Sequence, residues 1–163
     1  RGLGDVYKRQ EMGCASLRNP ETKNFNAINL KSGEHTGHLT SASFLCWYAG
    51  MGDKSMLDLL KNTLQDTLYP IPSLDKNSSK FDGLRYWRGP TWPILNALIG
   101  LGLSDMGHEK EAETIRSRTR ELISRHGFAE YFDPITGIPG GGKAFSWTAA
   151  VWLAWASPSV GAK

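Results

Sequence analysis

The residues best suited to chemistry lie in two glycine- and aromatic-rich loops. One reads Gly127-Phe128-Ala129-Glu130-Tyr131-Phe132-Asp133-Pro134 and sets a single carboxylate, Glu130, among aromatic neighbours. Partial desolvation of that kind fits a carboxylate for general acid or base work. Asp133, directly before Pro134, is read as a turn former that Thr136-Gly137 completes. The other loop closes with Leu84-Arg85-Tyr86-Trp87-Arg88-Gly89-Pro90-Thr91-Trp92 and continues through Pro93-Ile94-Leu95-Asn96. Flat rings beside an arginine and an asparagine suit a sugar, because rings stack on C–H faces while forked or planar donors bind hydroxyls. The same residues admit a plainer role, with Trp87 and Trp92 as core plugs and Arg88 as a surface ion-pair partner.

Other chemistries find little support. Gly140 to Lys143 resembles a phosphate cradle, but Ala144 stands where such a loop carries Ser or Thr, and no strand precedes it. The run is read instead as backbone that packs close to a ligand. His35, His38, His108 and His126 do not make a metal-ligand pattern; His35-x-x-His38 comes nearest, with only Glu34 beside it, so neither metal nor cofactor is expected. No G-x-S-x-G or Cys–His arrangement points to acyl transfer. Cys14 and Cys46 lie far apart and read as free thiols of a reducing compartment, which points to the cytoplasm.

The elements that must position these loops are helical, and they alternate in kind. Ser41 to Met51 is apolar or small on nearly every side, as a helix buried all round should be. After Gly52, Asp53 is a candidate N-cap for a helix to about Gln65, with Leu57, Leu60 and Leu64 along one stripe. Thr91 to Met106 is again apolar round much of its circumference, with Pro90 suited to a first helical position. Glu109 to Arg125 is one-sided, with Ala112, Ile115, Thr119 and Leu122 inward and Glu111, Arg116, Arg118, Arg120 and Glu121 outward. Ser146 to Ala156 is apolar all round. All-round apolar helices need partners on all sides, and one-sided helices can cover them from outside, so the pattern predicts two concentric rings. Buried-to-covering connections are short, whereas the return connections, about Asp66 to Gly89 and Gly127 to Phe145, are long. In a ring of helical hairpins the long returns emerge at one end, and Asn19 to Leu39 should join them there.

Composition bounds the alternatives. The chain has 163 residues, 40% hydrophobic and 21% charged, which suits one globular domain and excludes a disordered, collagenous or disulfide-scaffold protein. No run approaches the roughly 18–20 apolar residues of a membrane span. The net charge is +3, but Arg1, Lys8 and Arg9 against Asp5 place +2 of it in the first ten residues. The remainder is nearly neutral, so no nucleic-acid or membrane partner is expected. Residues 1–10 lack an initiator Met and any period, and resemble a non-native, adaptor-derived segment; residues 11–163 are taken as the folded portion.

YWRGPTWPILNALIGLGL followed by GFAEYFDPITGIPGGGKAFSWTAAVWLAW resembles the C-terminal part of the mannosylglycerate hydrolase-like and glucosylglycerate hydrolase-like members of glycoside hydrolase family 63, relatives of trehalase. The resemblance covers most of the chain from about residue 20. It implies an all-α fold, the C-terminal part of an (α/α)6 toroid, with about five of its twelve helices in this chain. It also implies an inverting glycosidase that hydrolyses a small α-glucoside or α-mannoside such as mannosylglycerate or glucosylglycerate. Glu130 matches the family's general base; Tyr86, Trp87 and Trp92 match aromatic positions lining the sugar pocket; Arg88, Asn96 and Trp147 follow on motif membership. The family's catalytic acid is an Asp from a return loop well upstream of the YWRGP motif, and nothing in Asn19 to Leu84 resembles that segment. The chain is therefore expected to be a C-terminal fragment, inactive alone. Trehalose-like disaccharides and glucosylated oligosaccharides are the alternative substrates. A non-catalytic sugar-binding toroid is the alternative from another class, and a terpenoid or prenyl-transfer toroid would need Asp-rich or zinc-ligand motifs that are not here.

Overall fold

The computed structural model describes residues 3–159; Arg1 and Gly2 of the expected adaptor-derived segment lie outside the described residues. Helix α1 spans Leu3–Ser16, exposed along most of its length and continuous across residue 10. An irregular stretch follows, folded by isolated antiparallel pairs at Arg18 with Phe25 and Ile28 with His35. The remaining elements are a tight helical turn at Ser41–Cys46, α2 (Lys54–Asp66), α3 (Pro93–Asp105), α4 (Glu109–His126), β1 (Tyr131–Phe132), β2 (Pro139–Gly140) and α5 (Ser146–Val151). A wide helical turn, Trp152–Ala156, prolongs α5.

Helix α3 is the hub. Its buried face, including Asn96, Ala97, Ile99 and Leu103, packs on α4, on α5 and on the Ser41–Cys46 turn. The largest core cluster joins Phe44, Trp47, Met56, Leu60, Ile71, Ile99, Leu103 and Ile115, all nearly inaccessible to solvent. Two glycines let the hub be approached closely. A Cβ on Gly102 would overlap the backbone of Trp47 and Tyr48, and one on Gly100 would overlap the Trp155 indole.

Four of the expected helices differ in extent or in the face they bury. Ser41 to Met51 is not one buried helix: only Ser41–Cys46 winds, turns follow to Gly50, and Tyr48 is exposed. The backbone there is drawn onto Gly102, where a close approach replaces a further helical turn. Helix α3 begins at Pro93, which takes the first-position role assigned to Pro90, because Thr91 is held extended by pairing with Phe132 and Pro72. Ser146 to Ala156 is not buried all round: Thr148, Val151 and Ala156 face α3 and α4, while Trp147 and Leu153 are exposed. In α2 the buried stripe is Met56, Leu60 and Leu64, one position from the Leu57 register.

The arginines of α4 also turn out differently. Arg116 Nε donates to Trp155 C=O at 2.7 Å and Arg120 Nε to Ala156 C=O at 2.6 Å. On the other side Arg118 Nη1 donates to Leu64 C=O at 2.5 Å. Carbonyls at the end of a helix lack intrahelical donors and carry partial negative charge. Residues placed outward by the apolar pattern therefore tie α4 to the ends of two neighbouring elements.

Asp53 caps α2 as the sequence predicts, its Oδ1 accepting the Met56 N–H at 3.0 Å while Arg18 pairs with Oδ2. Desolvation pushes its carboxyl upward, but the Met56 N–H, the Ser55 hydroxyl and Arg18 outweigh that and hold it below its ordinary value. The capping contribution is thus fully present above the usual carboxylate range near pH ~4 and is lost as pH falls through the lowered folded value. Asp53→Ala should cost about 1 kcal/mol at neutral pH. Urea titrations of both proteins at pH 7 and pH 2.5 should show that difference shrinking in acid; a constant difference would contradict the capping role.

Candidate active site

The two long loops meet through a short ladder. Thr91 N–H donates to Phe132 C=O at 2.8 Å, and Phe132 N–H returns to Thr91 C=O at 3.0 Å. Thr91 also pairs with Pro72, and β1 pairs with β2, Tyr131 opposite Gly140 and Phe132 opposite Pro139. Four extended pieces therefore lie side by side, each only one or two residues long. The upstream stretch joins the same end, where Asp75 N–H donates to Leu39 C=O at 2.9 Å.

This pairing sets Trp92 beside Tyr131, with ring centroids 5.2 Å apart. Trp92 itself is 2% exposed and serves as the buried floor of an aromatic cluster. Trp87 lies flat on it, 4.1 Å away with an interplanar angle of 4°, and keeps its outer side open at 46% exposure. Tyr86 stands edge-on to Trp87, Trp92 and Tyr131. Its φ of +44° lies in the left-handed region, a strain of order 1–3 kcal/mol for a bulky residue. The surroundings hold it there: the Trp92 indole N–H donates to Tyr86 C=O at 3.1 Å. Strained aromatic residues with open faces make a platform for a flat, partly apolar ligand such as a sugar ring.

Glu130 immediately precedes Tyr131 and is half-buried beside this platform. Its N–H donates to Gly142 C=O at 2.9 Å, and its Oε2 accepts the Gly142 N–H at 3.3 Å. Glycines make this fold-back possible, since a Cβ on Gly141 would overlap Glu130 Oε2 and one on Gly140 would overlap the Tyr131 ring. Among the described residues Oε1 takes no hydrogen bond, so that oxygen can accept a proton from outside. Asp133 is the turn former read from the sequence, its Oδ1 accepting the Ile135 and Thr136 N–H groups at 2.8 Å each.

The other candidates divide. Arg88 is exposed at the edge of the platform, and its guanidinium makes no hydrogen bond or ion pair among the described residues. Trp147, in the first turn of α5, is 53% exposed and packs on Phe145 at 5.6 Å, apart from the aromatic cluster. Asn96 points the other way. It is fully buried, and its Nδ2 donates to the Thr91 and Thr119 hydroxyls at 3.2 and 3.1 Å. It therefore supports Thr91 from beneath and cannot reach a ligand on the platform. Tyr131 and Thr91 are site residues that the sequence reading did not single out. The Tyr-Phe pair followed by Asp-Pro-x-x-Gly was the available signal, a strand and turn in miniature.

Comparison with known proteins decides the relationship. Residues 8–148 match the sequence profile described as the mannosylglycerate hydrolase MGH1-like glycoside hydrolase domain. The chain belongs to that family. Among MGH1-like relatives, mannosylglycerate hydrolase MGH1 of Selaginella moellendorffii is 39% identical over 128 residues, 76% of this chain and 26% of the relative. The mannosylglycerate hydrolase of Thermus thermophilus is 36% identical over 151 residues, 90% of this chain and 36% of the relative. The crystal structure of a GH63 mannosylglycerate hydrolase from Thermus thermophilus in complex with glucose superposes with a TM-score of 0.82 at 35% identity, covering 90% of this chain and 38% of that one. The chain thus spans between a quarter and two fifths of the length of these relatives. Its helices correspond to that share of an (α/α)6 toroid, the fold class expected from the sequence. No described helix is long and apolar enough to cross a membrane.

The two loops of this MGH1-like segment also touch where Gly83 passes Asp133, and a Cβ on Gly83 would overlap the Asp133 carboxylate. That carboxylate cannot swing away without releasing the Ile135 and Thr136 amides. Gly83→Ala should therefore cost about 1–3 kcal/mol, whereas Gly142→Ala, with open space around its Cβ, should stay within about 0.5 kcal/mol of wild type. Denaturant titration of the two variants checks this, and equal stabilities would show that the loops do not meet at Gly83.

Proposed function

We propose that this chain is the base-bearing portion of an inverting α-glycosidase acting on a small α-mannoside or α-glucoside, mannosylglycerate foremost. What supports the reading is that Glu130 lies next to Tyr131, one ring of an aromatic cluster with an open face on Trp87, in a family whose relatives include mannosylglycerate and glucosylglycerate hydrolases. The sugar stacks on Trp87 and Tyr86, and Arg88 bonds its hydroxyls from the rim; Trp147 joins them on the family motif alone.

In the reaction a water lies between Glu130 and the anomeric carbon. Glu130 Oε1 takes one proton from that water while its oxygen bonds to the carbon, and the glycosidic C–O bond breaks with its electron pair leaving on the aglycone oxygen. That oxygen takes a proton from a carboxylic acid, and inversion requires the two carboxyl groups to stand roughly 6.5–9.5 Å apart to admit the water. The family resemblance puts the acid in a loop upstream of this segment. Asp75 and Asp82, the nearest acidic residues of the first loop in sequence, are engaged in local turns with the Asn77 and Leu84 N–H groups. The 163-residue chain by itself therefore turns over no substrate. Cys14 and Cys46 form no disulfide among the described residues, and burial pushes the Cys46 thiol up to about 12, which makes that thiol unreactive; the cytoplasm is the compartment we assign.

In the full-length protein Glu130→Gln keeps size and one acceptor oxygen but cannot take a proton, so kcat should fall by about 10²–10⁴-fold or more with substrate affinity retained. Asp133→Asn alters only a turn and should cost about 1 kcal/mol of stability with turnover kept. Steady-state kinetics on mannosylglycerate, with a folding check on each variant, separates the two. An active Glu130→Gln beside a dead Asp133→Asn would withdraw the base assignment. Turnover by the 163-residue chain alone would mean that an acid lies within it.

A further inference from the structure

The segment bearing Glu130 is anchored on both sides by groups that never see solvent. On its C-terminal side lies the Thr91–Phe132 pair already described, both residues fully buried. On its N-terminal side, the Thr148 hydroxyl donates to Ala129 C=O at 2.6 Å, with Thr148 1% and Ala129 2% exposed. Thr148 is the third residue of α5. A hydroxyl at such a position ordinarily bonds its own helix; here it reaches across to a loop residue 19 positions earlier. Nearby, Phe145 N–H donates to Phe128 C=O at 2.8 Å, so the entry to α5 and the start of the loop run together.

Between these anchors stand Glu130 and Tyr131, both on the candidate site; Glu130 N–H is further bonded to Gly142 C=O and Tyr131 pairs with Gly140, both in the glycine run of the same loop. We propose that Thr148 is a positioning residue for Glu130: its buried hydroxyl holds the Ala129 carbonyl, and through it fixes where the Glu130 backbone stands relative to the aromatic platform. The proposal rests on the reading of Glu130 as the base. Ala129 C=O has no other hydrogen-bond donor among the described residues, so removing the hydroxyl leaves a buried carbonyl unpaired. The least costly relief is a local shift of Ala129–Glu130 toward water, since the Gly142 partner of Glu130 lies in an exposed run that can follow, whereas the Phe132 side stays pinned by two backbone bonds. A base displaced by about 1 Å from its water loses as much as 10²-fold in rate while the sugar platform, built on Trp87 and Trp92, is untouched.

The test uses Thr148→Val, which matches threonine in shape but lacks the hydroxyl, and Thr148→Ser, which keeps it, in the full-length protein. Kinetics on mannosylglycerate should show kcat lowered about 10–100-fold in Thr148→Val with KM within about twofold, and kcat within about threefold of wild type in Thr148→Ser. Amide hydrogen exchange should quicken at Glu130 in Thr148→Val and stay unchanged at Phe132. If Thr148→Val does not fold, Thr148→Ala carries the same comparison, since it also lacks the hydroxyl. Wild-type kcat and exchange in the hydroxyl-free variant, failure of serine to restore kcat, or exchange quickening uniformly across the protein would each overturn the proposal. Glu130→Gln run in parallel separates the two claims. If Glu130→Gln keeps full turnover the base assignment fails, and exchange at Glu130 still decides whether Thr148 positions it. If Glu130→Gln is dead while Thr148→Val is wild type in rate and exchange, the base assignment stands and the positioning role is gone.

Discussion

The reciprocal backbone pair between Thr91 and Phe132 is the constraint on which the rest of the site depends. It joins two loops that leave different helical hairpins and are separated by about forty residues of sequence. Because it pairs backbone with backbone, it fixes both position and direction, and Trp92 and Tyr131 follow as the next residue along each strand. With the Tyr69 N–H bond to Pro134 C=O and the Gly83–Asp133 contact, it offsets the ordering entropy of the long loops that carry the aromatic residues.

The polar groups beneath this pair are arranged in depth. Thr91 donates its hydroxyl to Pro70 C=O and accepts from Asn96, and Asn96 reaches Thr119 on α4. Three helices thereby contribute side chains to the underside of the site: α3 through Asn96, α4 through Thr119 and α5 through Thr148. Buried polar groups are costly unless paired, so such a network specifies one arrangement and penalises others. Among the described residues, only Asn96 Oδ1 within it lacks a partner. A single register between loops and helices is what a site needs if a carboxylate must meet a water within a fraction of an ångström.

Helix α4 ties both neighbours: Arg118 bonds Leu64 C=O where α2 opens into the first long loop, and Arg116 and Arg120 bond Trp155 and Ala156 C=O in the turn that prolongs α5. The loop end carries the strain at Tyr86, the open face of Trp87 and the glycine passage over Glu130. The apolar residues left exposed on α5, Trp147 and Leu153, lie on a segment that covers less than two fifths of its relatives' length.

The sequence alone was enough for the helices α2, α3 and α4, the Asp53 cap, the Asp133 turn and the convergence of the long loops, because each follows from local pattern: apolar period, cap chemistry, turn residues and loop length. It was also enough for the family, through two long motifs in fixed order. Only the tertiary structure decided that Asn96 faces the core and not the ligand, since an amide on an apolar helix looks the same from either side until its partners, Thr91 and Thr119, are brought to it. The same holds for Ser41 to Met51, where packing on Gly102 overrode a helical pattern, and for the arginines of α4, which periodicity places in solvent and neighbouring carbonyls draw in. Thr148 left no mark in the sequence at all. Its role arises from a contact with Ala129, and contacts between distant residues have no period to read.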